Sequence, residues 1–575
     1  MHDVVLRNGF VVDGTGAPGF AGDVAFVGGR ISEVGQVAGR GREEIDCRGR
    51  LITPGWVDMH THYDGQVTWD PYLTPSGWHG VTTVVMGNCG VGFAPVREAD
   101  RDWLIGVMEG VEDIPGTALH EGIRWGWQTF PEYLDALERL PLAIDIGTQV
   151  PHSAVRAWVM GRKGAEDDAA SEGEIDQMRA VVLEALKAGA LGFSTSRTSL
   201  HKTAEGVLVA GTFATEAELF GIGRALKQAG HGVFELADEH SQVPADLSWL
   251  TRLAEETGRP VVFNLSQVDQ APGLWRQAVA GLEAAAARGV PLYAQVAGRS
   301  IGILQTFHGT AHPFVLTEPW AGISYLPWEE KAARLRDPAF QRALVEAVPF
   351  HVGAFEAFVT RSFQKMFPMG EDSDYEPSPE TSVAAIAART GQAPAEVALQ
   401  ALLADDGHGT LYFPLFNYSE TNLDLLHELH QHPRTRMGLS DGGAHCGAIC
   451  DGGMPTFMLT HWTRDRTRGP KLALEHVVMR QTSQTAAFYG LHDRGVLAPG
   501  YRADVNLIDY DRLRLPPPRM VWDLPAGGRR LVQRAEGYDR TWCAGRCIMI
   551  DGQPTGELPG RLVRGPQGSP ADTTA

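Results

Sequence analysis

The sequence is poor in the features that mark secreted, membrane-spanning or nucleic-acid-binding chains. Six cysteines, Cys47, Cys89, Cys446, Cys450, Cys543 and Cys547, are scattered over 575 residues with no paired C-x-x-C zinc knuckle. That density excludes a disulfide-built scaffold and points to a reduced, cytoplasmic setting. No apolar run approaches the ~20 residues that a membrane span requires. The opening Met1-His2-Asp3-Val4-Val5-Leu6-Arg7 has neither a basic leader nor a long apolar core, so no signal peptide is expected. Positive charge is also short: 50 Lys and Arg face 70 Asp and Glu, a formal net charge of −20. A nucleic-acid partner needs a basic footprint, which this balance denies. A small-molecule partner is the remaining expectation, and the subunit count, monomer or homo-oligomer, stays open.

What is present is alternation. The first fifty residues read as short strands with turns at Asp13-Gly14 and Gly28-Gly29. From Trp56 to about Gly490, apolar runs such as Val81–Met86, Leu142–Ile146, Val233–Leu236 and Val261–Leu265 alternate with helix-like stretches at Ser171–Ala188, Glu216–Ala229 and Ala245–Thr257. Buried strands alternating with amphipathic helices predict a parallel α/β architecture, and over this length a (β/α)8 TIM-like barrel is the economical solution. Residues 301–419 break the pattern with aromatic and proline-rich segments and are expected to form a helical insertion roofing the site. Strand patterns return in 491–566. The expected organisation is therefore a barrel at 56–490 and a small β-rich domain made from 1–55 and 491–566, with 567–575 disordered.

The strongest chemical signal is Pro54-Gly55-Trp56-Val57-Asp58-Met59-His60-Thr61-His62. Residues two apart on a strand share a face, so His60 and His62 can reach one ion. Neutral imidazole suits zinc and similar divalent cations. Asp441 follows the apolar Met437-Gly438-Leu439 and precedes Gly442-Gly443, the setting of a carboxylate at the end of a barrel strand. His445 lies four residues further on.

Leu51–His62, Gly80–Gly90, Gly189–Ser196, Leu439–Gly442 and Gly495–Asp504 together resemble the amidohydrolase superfamily, in its D-aminoacylase (N-acyl-D-amino-acid deacylase) branch. The resemblance implies a (β/α)8 barrel with a β-sandwich formed from both chain ends. It implies that Cys89 replaces the bridging carboxylated lysine of other relatives as a metal ligand. It also implies that Asp441, the eighth-strand aspartate, touches the metal and takes a proton from the attacking water, with His445 assisting.

The chain departs from that branch at the fifth and sixth strands, where histidines are expected. The fifth-strand region reads Val233-Phe234-Glu235-Leu236-Ala237-Asp238-Glu239-His240, leaving Glu235, Asp238, Glu239 or His240 as substitutes. In the sixth the expected histidine falls on Asn264 or Leu265, and Gln267 stands where lysine often follows. One Zn²⁺ held by His60, His62, Cys89 and Asp441 is therefore expected, with Glu235 the candidate for a doubtful second position. Arg299, Gln267, Asn264 and Arg197 are the substrate-binding candidates, with Lys202 beside them. The expected activity is hydrolysis of an amide C–N bond in an N-acyl-D-amino acid or a related acyl-amino compound. Hydrolysis of a cyclic amide, carbamate or lactone and a non-catalytic ligand-binding barrel are the alternatives.

Overall fold

The computed structural model describes residues 1–166, 168–203 and 205–570. Two parallel sheets form its centre. One orders Trp56–Asp58, Val81–Met86 and Asp145–Thr148. The other orders Val150–Pro151, Gly192–Ser196, Val233–Ala237, Val261–Asn264, Leu292–Val296 and Thr435–Met437. Apart from Tyr293 and Arg436, every residue in these strands is buried, as expected of parallel strands covered on both faces. A single residue, Gln149, separates the last strand of the first sheet from the first strand of the second. At the opposite edges, Thr61 forms a parallel bridge with Gly442, and the His62 N–H donates to the Gly442 carbonyl at 2.8 Å.

Helices Glu172–Ala188, Glu216–Ala229, Val243–Thr257 and Leu274–Ala287 connect the strands of the larger sheet. The first begins where Ser171 and Glu174 form a reciprocal capping box, and it buries Met178, Val182, Ala185 and Leu186 along one stripe. Leu142, expected within a strand, instead bridges Gly560, and the strand starts at Asp145.

Both chain ends meet in one nine-stranded sheet, where Leu51–Pro54 runs antiparallel to Val505–Ile508. Asp145 ties this region to the smaller parallel sheet. Its Oδ2 and Oδ1 accept from Arg494 and Arg502, each at 2.7 Å, with Asp145 and Arg494 fully buried. Removing one partner leaves buried charge uncompensated, so Asp145→Ala is expected to lose about 3–5 kcal/mol in denaturant unfolding.

The segment 301–419 is not purely helical as expected. Gly302–Gln305, Leu411–Pro414 and Phe367–Pro368 form a small antiparallel sheet, and helices pack on it around Phe307, Phe314, Trp320 and Leu344. These strands are only two to four residues long, too short for period-two patterning to register in the sequence. The segment lies along the loop that carries His445: Leu304 N–H donates to Ala448 O at 2.7 Å and Thr310 N–H to Gly447 O at 3.0 Å. Glu376 fastens it further, accepting from His461 at 2.8 Å and from Arg466 at 2.9 Å. Burial raises the Glu376 pKa, but the bonds from His461 and Arg466 outweigh it and bring it to about 2. This contribution to stability is therefore present above the ordinary value of 4.5 and is lost as pH falls towards 2. Glu376→Gln should flatten the acid limb of a stability-against-pH curve.

Gln567, expected at the start of a disordered tail, exchanges backbone bonds with Gly490 and His492. Residues 571–575 of that expected tail lie outside the described residues. Among the described residues, no helix is long and apolar enough to cross a membrane.

Candidate metal centre and active site

His60 and His62 follow the strand Trp56–Asp58 and are both fully enclosed. Their rings meet edge to face with centroids 5.3 Å apart. One ligand atom each from His60, His62 and Cys89 lies within 4.8 Å of the others. The Cys89 Sγ and the Asp441 Oδ1 each stand 3.3 Å from His60 Nε2, and Asp441 Oδ1 is 3.6 Å from His62 Nε2. Donors about 2.0–2.3 Å from a tetrahedral Zn²⁺ stand roughly 3.3–3.8 Å from one another. The closest of these separations already lie in that range. The His60 Nδ1 faces Gln295 Oε1 at 2.9 Å, so Nδ1–H donates outward and Nε2 is left to bind.

The loop after Val81–Met86 holds Cys89 in place by backbone geometry. Cys89 has φ 57°, and its N–H donates to Glu235 Oε2 at 2.9 Å. Gly87 and Gly90 flank it, also with positive φ, and a Cβ on either would fall 2.4 Å from Gln149 O or 2.9 Å from Thr195 Cα. Asn88 donates to Thr61 O and Val85 O, and accepts from Gln149. Asp441 and His445 are likewise left-handed, at φ 48° and 53°. Each such residue costs about 1–3 kcal/mol, a cost that persists where surrounding structure enforces it.

Buried acids surround the histidines. Burial raises Glu235 to about 8, Asp64 to about 7 and Asp58 to about 6. Burial also lowers His60 to about 4. It opposes the charged form of His62 too, but the fields of Glu112 and Asp441 override it and lift His62 to about 9. Asp441, against its burial, is held well below the carboxylate range by His62, His60 and His445. The cluster thus holds more acid than its histidines neutralise. With its mixed nitrogen, sulfur and oxygen donors, it fits a divalent cation.

The other expected residues divide sharply. Glu235 reaches Cys89 and leaves Oε1 without a hydrogen-bond partner among the described residues, whereas the three alternatives near it face elsewhere. Asp238 is buried with both carboxylate oxygens lacking a hydrogen-bond partner among the described residues, Glu239 accepts from Ser199, and His240 packs on Phe416. Asn264 is close enough to the Cys89 thiol to favour its ionised form against burial, and its Oδ1 has no hydrogen-bond partner among the described residues. In Gln267, Nε2 donates to Pro272 O, Oε1 accepts from Ser419 N–H, and the main-chain N–H goes to Asn417. These bonds tie it to Pro272 and to the Asn417–Ser419 loop.

Arg299 leaves its Nε and Nη1 without a hydrogen-bond partner among the described residues. It is fully buried, donates to Cys450 O at 2.8 Å and Asp451 at 2.9 Å, and lies 3.6 Å over the Tyr375 ring. Arg197 donates to Ala214 O and covers Trp249, while Lys202 pairs with Leu208 across a loop bridge. Three further groups were not anticipated. Glu112 ends the helix Arg101–Glu112 with its Oε1 3.3 Å from His62 Nδ1 and its Oε2 3.7 Å from His445. Gln295 orients His60. His201 bonds Ser196 at 2.9 Å and feels the charges of His445 and His62. Of the three, Glu112 alone carried a signal, an acid at a helix C-terminus against the dipole.

The chain is 29% identical over 570 residues to the D-aminoacylase of Alcaligenes xylosoxydans xylosoxydans, covering 98% of this chain and 97% of that one. It is 27% identical over 568 residues to an N-acyl-D-aspartate deacylase of the same organism, covering 98% and 95%. A crystal structure of D-aminoacylase superposes with a TM-score of 0.64 at 25% identity, covering 98% of this chain and 100% of that one. Residues 43–549 match the amidohydrolase family, and the chain, with its buried cluster of two histidines and a cysteine, belongs to that family.

Proposed function

We propose that this chain is a zinc-dependent deacylase of N-acyl-D-amino acids or closely related acyl-amino compounds, with one ion held by His60, His62, Cys89 and Asp441. The observation that carries the reading is that Cys89 Sγ and Asp441 Oδ1 each stand 3.3 Å from His60 Nε2. The names of the similar deacylases supply the substrate class.

The cation, when bound, supplies Lewis-acid polarisation of the carbonyl and a water acidified towards neutrality. The remaining work belongs to the side chains. Asp441, ionised across the working pH range, accepts the water proton as the new C–O bond forms. It returns that proton to the nitrogen as the C–N bond breaks, releasing a carboxylic acid and an amine. His445, a quarter exposed beside Asp441, stands where it can donate to the carbonyl oxygen as charge develops. Glu235 and Asn264 flank Cys89 where the family's fifth- and sixth-strand histidines fall, and a neutral amide there is a poor zinc ligand. That favours a single ion.

In this reading the two parallel sheets are one closed eight-stranded barrel. The chain passes through Gln149 from one sheet to the other, and the Thr61–Gly442 bridge closes the opposite edge. The barrel then spans 56–490 with its insertion at about 301–419, and 1–55 with 491–566 form the β-sandwich.

The test combines zinc content of tag-free protein with hydrolysis of N-acetyl-D-amino acids, their L-enantiomers, hydantoins and lactones. About one zinc per chain and D-selective amide cleavage are expected. Turnover confined to cyclic substrates would replace the substrate half of the proposal. Failure to take up zinc would leave a ligand-binding barrel.

A further inference from the structure

Glu112 has no place in the mechanism above, yet it occupies the most costly position near the site. It is 1% exposed, it ends a helix whose dipole opposes a carboxylate, and it stands among other buried acids. Its two oxygens face two different histidines, His62 Nδ1 at 3.3 Å and His445 Nε2 at 3.7 Å. His62 Nδ1 and Glu112 Oε1 are each buried with no hydrogen-bond partner among the described residues. Each is therefore the natural partner of the other, because a buried donor and acceptor left unmatched would both be destabilising. The main chain reinforces the link, since the His445 N–H donates to the Glu112 carbonyl oxygen. One residue at a helix end is thus set against both a proposed ligand and a proposed proton donor.

We propose that Glu112 is a positioning residue. Its Oε1 takes the Nδ1–H of His62, which fixes the tautomer and turns Nε2 towards Cys89 and Asp441. Its Oε2 and main-chain carbonyl hold the His445 loop at the same time. A carboxylate behind a ligating imidazole raises ligand basicity and locks the ring, and its loss typically weakens metal binding by about 10–100-fold. The inference rests on the metal site proposed above. It adds that this site is braced from outside the barrel strands, by a helix.

The experiment titrates zinc against a chromophoric chelator in wild type, Glu112→Gln and Asp102→Asn. Asp102 is an exposed acid on the same helix, 88% accessible at its side chain, and controls for loss of charge alone. Glu112→Gln should bind zinc about 10–100-fold more weakly, and Asp102→Asn should match wild type. In zinc-loaded wild type labelled with ¹⁵N-histidine, the His62 signal, assigned against His62→Asn, should show the proton on Nδ1. Wild-type affinity in Glu112→Gln, or a His62 proton on Nε2, overturns the role of Glu112 while leaving the metal site standing. Absence of zinc uptake by wild type overturns both. The spectrum needs no variant at position 112, so poor folding of Glu112→Gln would not protect the proposal.

Discussion

Asp441→Asn is expected to lower kcat by about 10²–10⁴-fold, the usual contribution of a positioned general base, with KM changed much less. The amide keeps an oxygen near His60 Nε2 and His62 Nε2 but cannot accept the water proton. The loss should fall on kcat and kcat/KM alike, as for an interaction made only in the transition state. Because an amide is a weaker zinc ligand than a carboxylate, the rate is read at saturating zinc, with zinc content measured on the same sample. This separates loss of the base from loss of the ion. Activity above about a tenth of wild type would remove Asp441 from the proton-transfer role, since general-base catalysis is worth at least about 10².

Cys89→Ala is expected to abolish stoichiometric zinc binding. The Sγ is one of three donors within 4.8 Å of one another. Glu235 reaches the Cys89 N–H through Oε2, at 2.9 Å. Losing a direct ligand should cost more than the roughly 10–100-fold lost with an outer-shell partner. Cys89→Ser, which keeps an oxygen donor, should fall between alanine and wild type. Full zinc content in the alanine variant would show that Glu235 and the histidines suffice, and would move the site towards the fifth strand.

The legible residues were those whose roles follow from strand geometry. His-x-His on a strand places two imidazoles on one face whatever the rest of the chain does, and Asp441 followed from the same logic at a strand end. Residues whose roles depend on distant partners were not legible. Arg299 read as a clamp for an anionic group, and nothing near it in sequence reveals Asp451, 152 residues away, or the Tyr375 ring beneath it. Gln267 read as a substrate group, and its partner Asn417 lies 150 residues on. Glu112 sits in a helix between two strands, where an acid is ordinarily solvated, and its burial is a tertiary fact. The small sheet inside 301–419 was hidden by strands too short to show a period.

The pairing of Leu51–Pro54 with Val505–Ile508 has a consequence for how the chain is made. During synthesis the first strand leaves the ribosome about 450 residues before its neighbour. At ~5–20 residues per second that is a delay of roughly 20–90 s. Through that interval the N-terminal strands present an unpaired edge, the kind of surface that recruits other chains. The nascent protein therefore depends on chaperone cover late into translation. A ribosome halted before Val505 should release an aggregation-prone product even when every residue of the metal cluster has already been made.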